Sequence, residues 1–206
     1  MKFKNRLQIY LMKNISSYYW WFIDNLAHKL DKLAETYYTK SIGSEYRREY
    51  REFDISKEDK VLHIGSGAFP LTEITLAETI GSNVVGIDKS LKAVKSAVEA
   101  IREKNLHYKI KIEHGNGINY NIEKFNVIIV SSCASPMIEI VDHIFKTANK
   151  NSKIIVREME ISIKPLIKYI KMQRDVFLVK NISHNPFPFL KPFGWQSFFL
   201  IKKGDS

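Results

Sequence analysis

Short apolar runs and amphipathic segments alternate along most of this 206-residue chain, most clearly at residues 60–88, KVLHIGSGAFPLTEITLAETIGSNVVGID. The pattern predicts a buried strand over Val61–Ile64, a turn with two glycines, a helix over about Pro70–Ile80 and a second strand that ends on Asp88. Two strands joined by a helix in this order are typical of a βαβ unit. We expect the rest of the chain to be organised around this unit.

The same alternation continues towards the end of the chain. Further helices are predicted over Ser90–Glu103, Met137–Ala148 and Ile161–Met172, and further strands over His107–Ile112, Phe125–Val130, Lys153–Arg157, Val176–Ile182 and Trp195–Ile201. Strands that alternate with helices predict a mostly parallel sheet covered by helices on both faces. The expected fold is a single Rossmann-like α/β sandwich of three layers around seven strands, with the last strand antiparallel.

The N-terminal part is predicted to form a helical cap. Apolar residues recur at helical spacing between Leu26 and Tyr37, within a predicted helix over residues 3–36. The aromatic run at 18–22, YYWWF, is too apolar all round for a free surface helix. It is expected to pack on the main domain, cover a ligand pocket or lie on a lipid interface. We predict a cap over residues 1–55 and a cofactor-binding domain over residues 56–206.

Tyrosines and arginines are interleaved in the polar stretch 37–59. Such side chains can stack on the bases and hold the phosphates of a nucleic acid. They can equally form a solvated helix face with i,i+4 pairs such as Glu45 and Glu49. The sequence leaves both interpretations open.

The formal charge of +10 is concentrated in the two ends of the chain. It can attract nucleic acid, an anionic membrane surface or an acidic small molecule, or simply form a solvated lysine-rich surface. The single cysteine, Cys133, excludes a disulfide within the chain and a multi-cysteine metal site, and no metal is predicted. Since neither a secretory signal nor a transmembrane run is found, we expect a cytoplasmic protein.

The turn after the first strand carries the candidate ligand site. Gly65 and Gly67 can adopt positive φ and let a ligand approach the backbone, while the first free N–H groups of the next helix face that ligand. Asp88, about 20 residues later at the tip of the second strand, is placed to accept hydrogen bonds from a ribose diol. This combination predicts an adenosine-containing ligand.

The kind of ligand is narrowed by what the turn lacks. A dinucleotide fingerprint has a third glycine at the position of Pro70, and no triphosphate-binding GxxxxGK[ST] motif is present. At these residues the chain resembles the class I S-adenosylmethionine-dependent methyltransferases. It differs from their usual pattern at His63, where an acidic residue is common, and at Phe69, where a third glycine often lies. The resemblance implies S-adenosylmethionine as the cofactor.

The segment GSGAFPLT, followed by an apolar helix and then VVGID, also resembles the nicotianamine synthase family. That family uses the same cofactor but transfers its 3-amino-3-carboxypropyl arm instead of its methyl group. The resemblance implies a catalytic glutamate and a catalytic tyrosine in a longer N-terminal helical region. The glutamate has no clear counterpart here, and the tyrosine matches only loosely Tyr37, Tyr38 or Tyr46.

The expected cofactor contacts lie at the ends of successive strands, where ligands bind in open α/β sheets. Asn116 is expected to contact the adenine amino group, although a plain Asn-Gly turn would explain the same residues. The full set of predicted cofactor contacts is Gly65, Ser66, Gly67, Leu71, Thr72, Asp88, Lys89, Asn116, Gly117, Ser131 and Ser132.

Tyr38 and Glu158 are the candidate catalytic residues. Glu158 follows the fifth strand and can act as a base or bind an amine, or it can pair with Arg157 or a nearby lysine. The leading hypothesis is methyl transfer to a small-molecule acceptor, anionic or lipid-like. The alternatives are 3-amino-3-carboxypropyl transfer, and a cofactor-binding or RNA-binding protein that catalyses nothing.

Overall fold

The computed structural model of the chain describes the backbone of residues 32–185 and 194–204, and the side chains of these ranges from residue 40 onward. The helices are α1 (Lys32–Glu52), α2 (Leu71–Thr79), α3 (Leu91–Glu103), α4 (Met137–Thr147) and α5 (Ile163–Lys171), with a 3-10 turn at Glu160–Ser162 before α5. The strands are β1 (Lys60–Ile64), β2 (Asn83–Asp88), β3 (Ile110–His114), β4 (Val127–Val130), β5 (Lys153–Met159), β6 (Val176–His184) and β7 (Trp195–Lys202).

The seven strands form one sheet in the order β3-β2-β1-β4-β5-β7-β6. Strands β1 to β5 pair in parallel, while β7 runs antiparallel to both β5 and β6. The predicted fold is therefore confirmed, including the antiparallel last strand. Because β7 is reversed, its first residue lies at the same edge of the sheet as the carboxyl ends of the other strands.

Strand β4 is buried on both faces, as its continuous apolar run predicts. Ile128 and Val130 belong to a core cluster that includes residues of α4 and α5. Val127 and Ile129 belong to the cluster on the other face, with residues of α1 and α2. These two cores are the inner surfaces of the three-layer sandwich.

The predicted start of the third strand is wrong. The sequence indicated a strand from His107, whereas β3 begins at Ile110. The carbonyl of Leu106 accepts hydrogen bonds from the N–H groups of Lys109 and Ile110, at 3.0 Å each, so the chain turns before it enters the sheet. Alternating apolar and polar side chains occur in such a turn as well as in a strand. The sequence pattern therefore placed the start of the strand three residues too early.

Helix α1 packs against the sheet instead of presenting a solvated face. Ile42, Tyr50 and Phe53 are buried in the cores, and the Tyr50 hydroxyl donates a hydrogen bond to the Thr72 carbonyl at 3.2 Å. The solvated-face interpretation is therefore wrong for Glu49, which is fully buried. The base-stacking interpretation gains no support from Tyr50 either, since its ring is inaccessible.

Most of the predicted helix over residues 3–36, and the aromatic run within it, lies outside the described residues. Residues 32–36 are helical as the first part of α1. The division into a cap of residues 1–55 and a cofactor domain of residues 56–206 stays a prediction. Within the described ranges no helix is long and apolar enough to cross a membrane, and the cytoplasmic location also stays a prediction.

Gly86 allows α2 to lie unusually close to β2. A Cβ built on Gly86 would come within 2.2 Å of Glu73 Oε1 and 2.4 Å of Ser66 Oγ. We expect Gly86→Ala to lower the free energy of unfolding by about 1–3 kcal/mol, because both side chains would have to move within a packed core. Urea denaturation measures this loss. Gly204→Ala is the control, since the nearest atom to its added Cβ is Lys150 Cδ at 3.7 Å. Equal stability of the two variants would contradict the close packing.

Candidate cofactor site

A cavity of about 580 Å³ lies at the edge of the sheet where the parallel strands end. Its wall is built from the residues that follow β1, β2, β3 and β4, together with side chains of α1, β5 and β7. All eleven predicted cofactor contacts are part of this wall. The sequence-based set, drawn from four separate turns, is thus brought together in one place, and its role in binding stays a prediction.

The glycine turn needs both of its glycines. Gly65 has φ +92° and Gly67 has φ +69°, a region that side chains of L-residues rarely adopt. A Cβ on Gly65 would also lie 3.1 Å from the Cβ of Ser131 at the end of β4. The turn therefore runs close to β4 and lines the cavity, while the N–H groups of Gly65 and Ser66 donate to the Ile87 carbonyl.

Asp88 is held in place by backbone donors. Its Oδ2 accepts the Gly67 N–H at 3.0 Å and its Oδ1 accepts the Ser90 N–H at 2.8 Å. Ser90 in turn caps α3 by accepting the Ala93 N–H on its hydroxyl oxygen at 3.3 Å. Because each carboxylate oxygen can accept a second hydrogen bond, Asp88 is fixed and still able to bind a ribose diol.

Asn116 and Gly117 form the opposite side of this part of the cavity. The side-chain oxygen of Asn116 accepts the Ile118 N–H at 3.2 Å, which is an Asx turn. A Cβ on Gly117 would lie 2.6 Å from Ile64 Cγ2, so only glycine lets the turn approach the end of β1. The plain-turn interpretation is correct as far as local geometry goes, and the turn nevertheless lies in the cavity wall.

The other end of the cavity contains a buried charged pair that the sequence did not predict. Arg157 on β5 donates from Nε at 2.9 Å and from Nη2 at 2.7 Å to Glu49 Oε2, and from Nη1 to Thr72 Oγ1 at 2.7 Å. Its guanidinium carbon lies 3.7 Å from the centre of the Tyr46 ring. Burial alone would lower the pKa of Arg157, but the Glu49 carboxylate and the Tyr46 and Tyr50 side chains together outweigh burial and raise this pKa, so the guanidinium stays charged.

Glu49 binds several donors besides Arg157. Its Oε1 accepts hydrogen bonds from Trp195 Nε1 at 3.3 Å and from the Ser197 hydroxyl. Both of these residues are on β7, where Ser197 is the register partner of Arg157. Glu49 thus connects α1 to the two strands that close this end of the cavity.

The two predicted catalytic residues are placed differently. Tyr38 lies in α1, and its side chain is outside the described part of the chain. Glu158 is buried, and its Oε1 accepts hydrogen bonds from the Met159 N–H at 2.9 Å and the Ser162 hydroxyl at 2.7 Å. Among the described residues Arg157 lines the cavity and Glu158 does not. The placement outside the cavity wall does not favour a base role for Glu158, which stays a prediction, and the guanidinium of Arg157 is held by Glu49.

Several residues of the cavity wall were missed as site residues. Tyr46, His63, Arg157 and Trp195 line it, yet none of them is among the predicted cofactor contacts. A usable signal existed for Arg157, which lies near the carboxyl end of an apolar strand. No group of three or more His, Cys, Asp or Glu side chains that could hold a metal is found in the described ranges.

The residues around the glycine turn fit S-adenosylmethionine. The glycine turn, the fixed carboxylate of Asp88 and the close approach at Gly117 form a concave wall with the shape and the acceptor groups that an adenosine needs. The cavity volume of about 580 Å³ lies within the roughly 300–1,000 Å³ typical of small-molecule sites. The strand order and this site together define a protein of the class I S-adenosylmethionine-dependent methyltransferase superfamily.

The chain belongs to the ribosomal protein L11 methyltransferase (PrmA) family, whose model matches residues 49–159. A ribosomal protein L11 methyltransferase of Staphylococcus saprophyticus is 26% identical over 133 residues, or 64% of this chain and 41% of that protein. The chain thus spans about two fifths of the length of this relative. The family membership confirms the class and the cofactor that the glycine turn predicted.

Solved structures of low sequence identity share the fold. A mutant of MtNAS, a nicotianamine synthase, has a TM-score of 0.75 at 14% identity and covers 98% of this chain and 78% of its own. A putative S-adenosylmethionine-dependent methyltransferase from Methanococcus maripaludis has a TM-score of 0.67 at 16% identity, with coverage of 89% and 94%. An RNA methyltransferase from Salinibacter ruber in complex with S-adenosylhomocysteine has a TM-score of 0.60 at 15% identity, with coverage of 79% and 94%.

Proposed function

We propose that the protein transfers the methyl group of S-adenosylmethionine to a small acceptor molecule. The observation that carries this proposal is the continuity of the cavity along the edge of the sheet. One end holds the predicted adenosine contacts Asp88 and Asn116, and the other end is formed by Tyr46, Arg157 and Trp195. A cofactor at the first end therefore leaves room for an acceptor at the second.

The residues of the acceptor end indicate what it can bind. The Tyr46 and Trp195 rings pack edge to face with their centres 5.9 Å apart, so they offer a rigid aromatic wall. Arg157 adds a permanent positive charge that Glu49 largely balances. A small acceptor with a planar or apolar body and a polar or anionic group fits such a wall best.

The chain's own residues bind and orient, and the cofactor supplies the electrophile. When bound, S-adenosylmethionine supplies an activated methyl group on its sulfonium. The glycine turn and Asp88 fix the cofactor, while the aromatic wall aligns the acceptor with the breaking carbon–sulfur bond. Alignment of this kind can account for much of the rate acceleration, because it replaces a chance encounter in solution.

A second reaction is favoured by a specific observation. The segment GSGAFPLT resembles the turn of nicotianamine synthases, and MtNAS bound to S-adenosylmethionine shares the fold with a TM-score of 0.73. The alternative is transfer of the 3-amino-3-carboxypropyl arm within the same cavity. The two reactions leave different cofactor products, S-adenosylhomocysteine after methyl transfer and methylthioadenosine after arm transfer.

The acceptor can also be a protein, since the matching relative is a ribosomal protein L11 methyltransferase. The acceptor end of the cavity is lined by the Tyr46 and Trp195 rings. The small-molecule proposal is preferred because these rings and Arg157 form the wall at that end. A direct comparison of acceptors decides between them.

The test is to incubate the protein with S-adenosylmethionine and defined acceptors, and to quantify both cofactor products by mass spectrometry. The acceptors are a panel of small amines that carry a carboxylate, and purified ribosomal protein L11. We expect S-adenosylhomocysteine with a small acceptor, and much less of it with the Asp88→Ala variant when the cofactor concentration is limiting. Methylthioadenosine above its rate of spontaneous formation would favour arm transfer, and product formed with the ribosomal protein alone would contradict a small acceptor.

A further inference from the structure

A serine, a histidine and a glutamate form a continuous hydrogen-bonded line beside the glycine turn. Ser131 Oγ lies 2.8 Å from His63 Nε2, and His63 Nδ1 lies 2.8 Å from Glu73 Oε1. His63 is 2% exposed and Glu73 is fully buried. Ser131 and His63 line the cavity, whereas Glu73 lies behind them on α2.

With His63 neutral and Glu73 ionised, the hydrogen bonds among the three groups can run in only one direction. An ionised carboxylate only accepts, so Glu73 Oε1 takes the hydrogen of His63 Nδ1. His63 Nε2 is then a bare acceptor, and the Ser131 hydroxyl donates to it. The remaining lone pairs of Ser131 Oγ are thereby left to accept a proton from a molecule in the cavity.

Within the described part of the chain, His63 is the one side chain that pairs with the Glu73 carboxyl. Its second oxygen, Oε2, is buried and makes no hydrogen bond within the described part of the chain. No described basic side chain other than His63 forms an ion pair with it. A buried carboxylate in this position stabilises a positive charge that appears on the imidazole.

We propose that Ser131, His63 and Glu73 form a proton relay that removes a proton from the acceptor. The acceptor's N–H or O–H bond breaks as its proton passes to Ser131 Oγ, and the Ser131 proton passes to His63 Nε2. The electron pair left on the acceptor forms the new bond to the transferred carbon, and the electron pair of the broken carbon–sulfur bond goes to the sulfur, which leaves as a neutral thioether. The proton remains on His63 until it is released to solvent. This relay rests on the proposed function, since it acts on the acceptor of that reaction.

Roles within the relay differ. Ser131 is the catalytic residue, because it is the one that contacts the acceptor. His63 acts as the base through Ser131, and Glu73 is a positioning residue that holds the imidazole in one tautomer. Each of the three comes from a different element, the end of β4, β1 and α2, so the relay exists only in the folded chain.

A purely structural arrangement makes a different prediction about the protons of His63. If the cluster only ties α2 to β1, His63 can be an imidazolium that donates to both Glu73 and Ser131. Such a histidine has no nitrogen left to accept a proton. The protonation state of His63 therefore separates the relay from a structural ion pair, and it can be measured without any acceptor.

The first measurement is nitrogen-15 NMR of the histidine side chains in the full chain, with the His63 signals assigned through the His63→Gln variant. At neutral and mildly alkaline pH we expect Nδ1 to carry a proton and Nε2 to have the chemical shift of a bare acceptor nitrogen. The Nε2 shift should change in Ser131→Ala. Two protonated nitrogens over this pH range would overturn the relay, whether or not the protein proves to be a methyltransferase.

The second measurement separates turnover from cofactor binding. For Glu73→Gln we expect turnover of the best acceptor of the panel to fall by about 10²–10⁴-fold, the usual contribution of acid–base catalysis. The affinity for S-adenosylmethionine, measured by calorimetry, should change by less than about threefold, because Glu73 does not line the cavity. Ser131→Ala should lower turnover to a similar extent.

Matched control variants show whether the loss of turnover is specific to the Ser131, His63 and Glu73 cluster. Glu78→Gln alters an exposed carboxylate on the same helix, and Ser152→Ala removes a buried hydroxyl far from the cavity. Both should keep the parent's turnover. A parallel loss of cofactor affinity in Glu73→Gln, with normal thermal stability, would instead make the cluster part of the cofactor site. Absence of product from the parent with every acceptor would contradict the proposed function, while the NMR result still decides the relay.

Discussion

Replacing Glu49 with alanine should lower the free energy of unfolding by about 3–5 kcal/mol, the cost of leaving a buried charge without its partner. The variant removes both carboxylate oxygens that bind Arg157, whose side chain is almost completely buried. The Trp195 N–H and the Ser197 hydroxyl lose their acceptor at the same time. Urea denaturation followed by circular dichroism measures the loss.

The controls for this variant separate burial from charge. Glu52→Ala removes a carboxylate from the same helix, but this carboxylate pairs with Lys180 at the surface, so little change is expected. Adding Arg157→Met to Glu49→Ala should recover part of the stability, because the unpaired cation is gone. If Glu49→Ala proved as stable as Glu52→Ala, the claim that Glu49 compensates the buried charge of Arg157 would be contradicted.

The sheet could be predicted from the sequence because its signals are local. The apolar run Val127–Val130 and the segment Lys60–Ile64 each fall within a few residues of a turn, and the strand and helix periods differ enough to be told apart. The glycine turn was equally readable, since a positive φ at Gly65 and Gly67 is a property of those positions themselves. Elements and cofactor turn therefore followed from short windows of sequence.

The charged end of the cavity could not be predicted, because its contacts are distant along the chain. Arg157 and Glu49 are 108 residues apart, and His63 and Ser131 are 68 residues apart. In the sequence Glu49 lies four residues after Glu45 among arginines, a pattern typical of a solvated helix. Only the packing of α1 on the sheet shows that Glu49 faces inward.

The choice between Arg157 and Glu158 shows a second limit of predicting site residues from the sequence. Successive residues of a strand face opposite sides, so a one-residue difference decides which side chain reaches a given site. Both residues are charged and buried, and composition cannot say which one faces the cavity. The sequence placed a candidate site residue at the end of β5 that borders the cavity, but it selected Glu158, whereas Arg157 lines the cavity.

Asp88→Ala should weaken binding of S-adenosylmethionine by roughly 10- to 100-fold, which corresponds to the loss of about 1.5–3 kcal/mol from hydrogen bonds to a charged group. The carboxylate lies in the cavity wall at the end of β2, and backbone N–H groups of Gly67 and Ser90 hold it there. Its free lone pairs are the predicted acceptors for the ribose hydroxyls. Isothermal titration calorimetry measures the change directly.

Asp88→Asn refines this experiment, because asparagine keeps one acceptor oxygen in nearly the same volume. It should still accept the Ser90 N–H, but its amide would face the Gly67 N–H, donor against donor. We therefore expect an affinity between those of the parent and Asp88→Ala. Glu99→Ala, an exposed change on α3, controls for charge alone. If Asp88→Ala folds and binds as tightly as this control, the ribose does not lie on Asp88, and the glycine turn must hold the cofactor in another orientation.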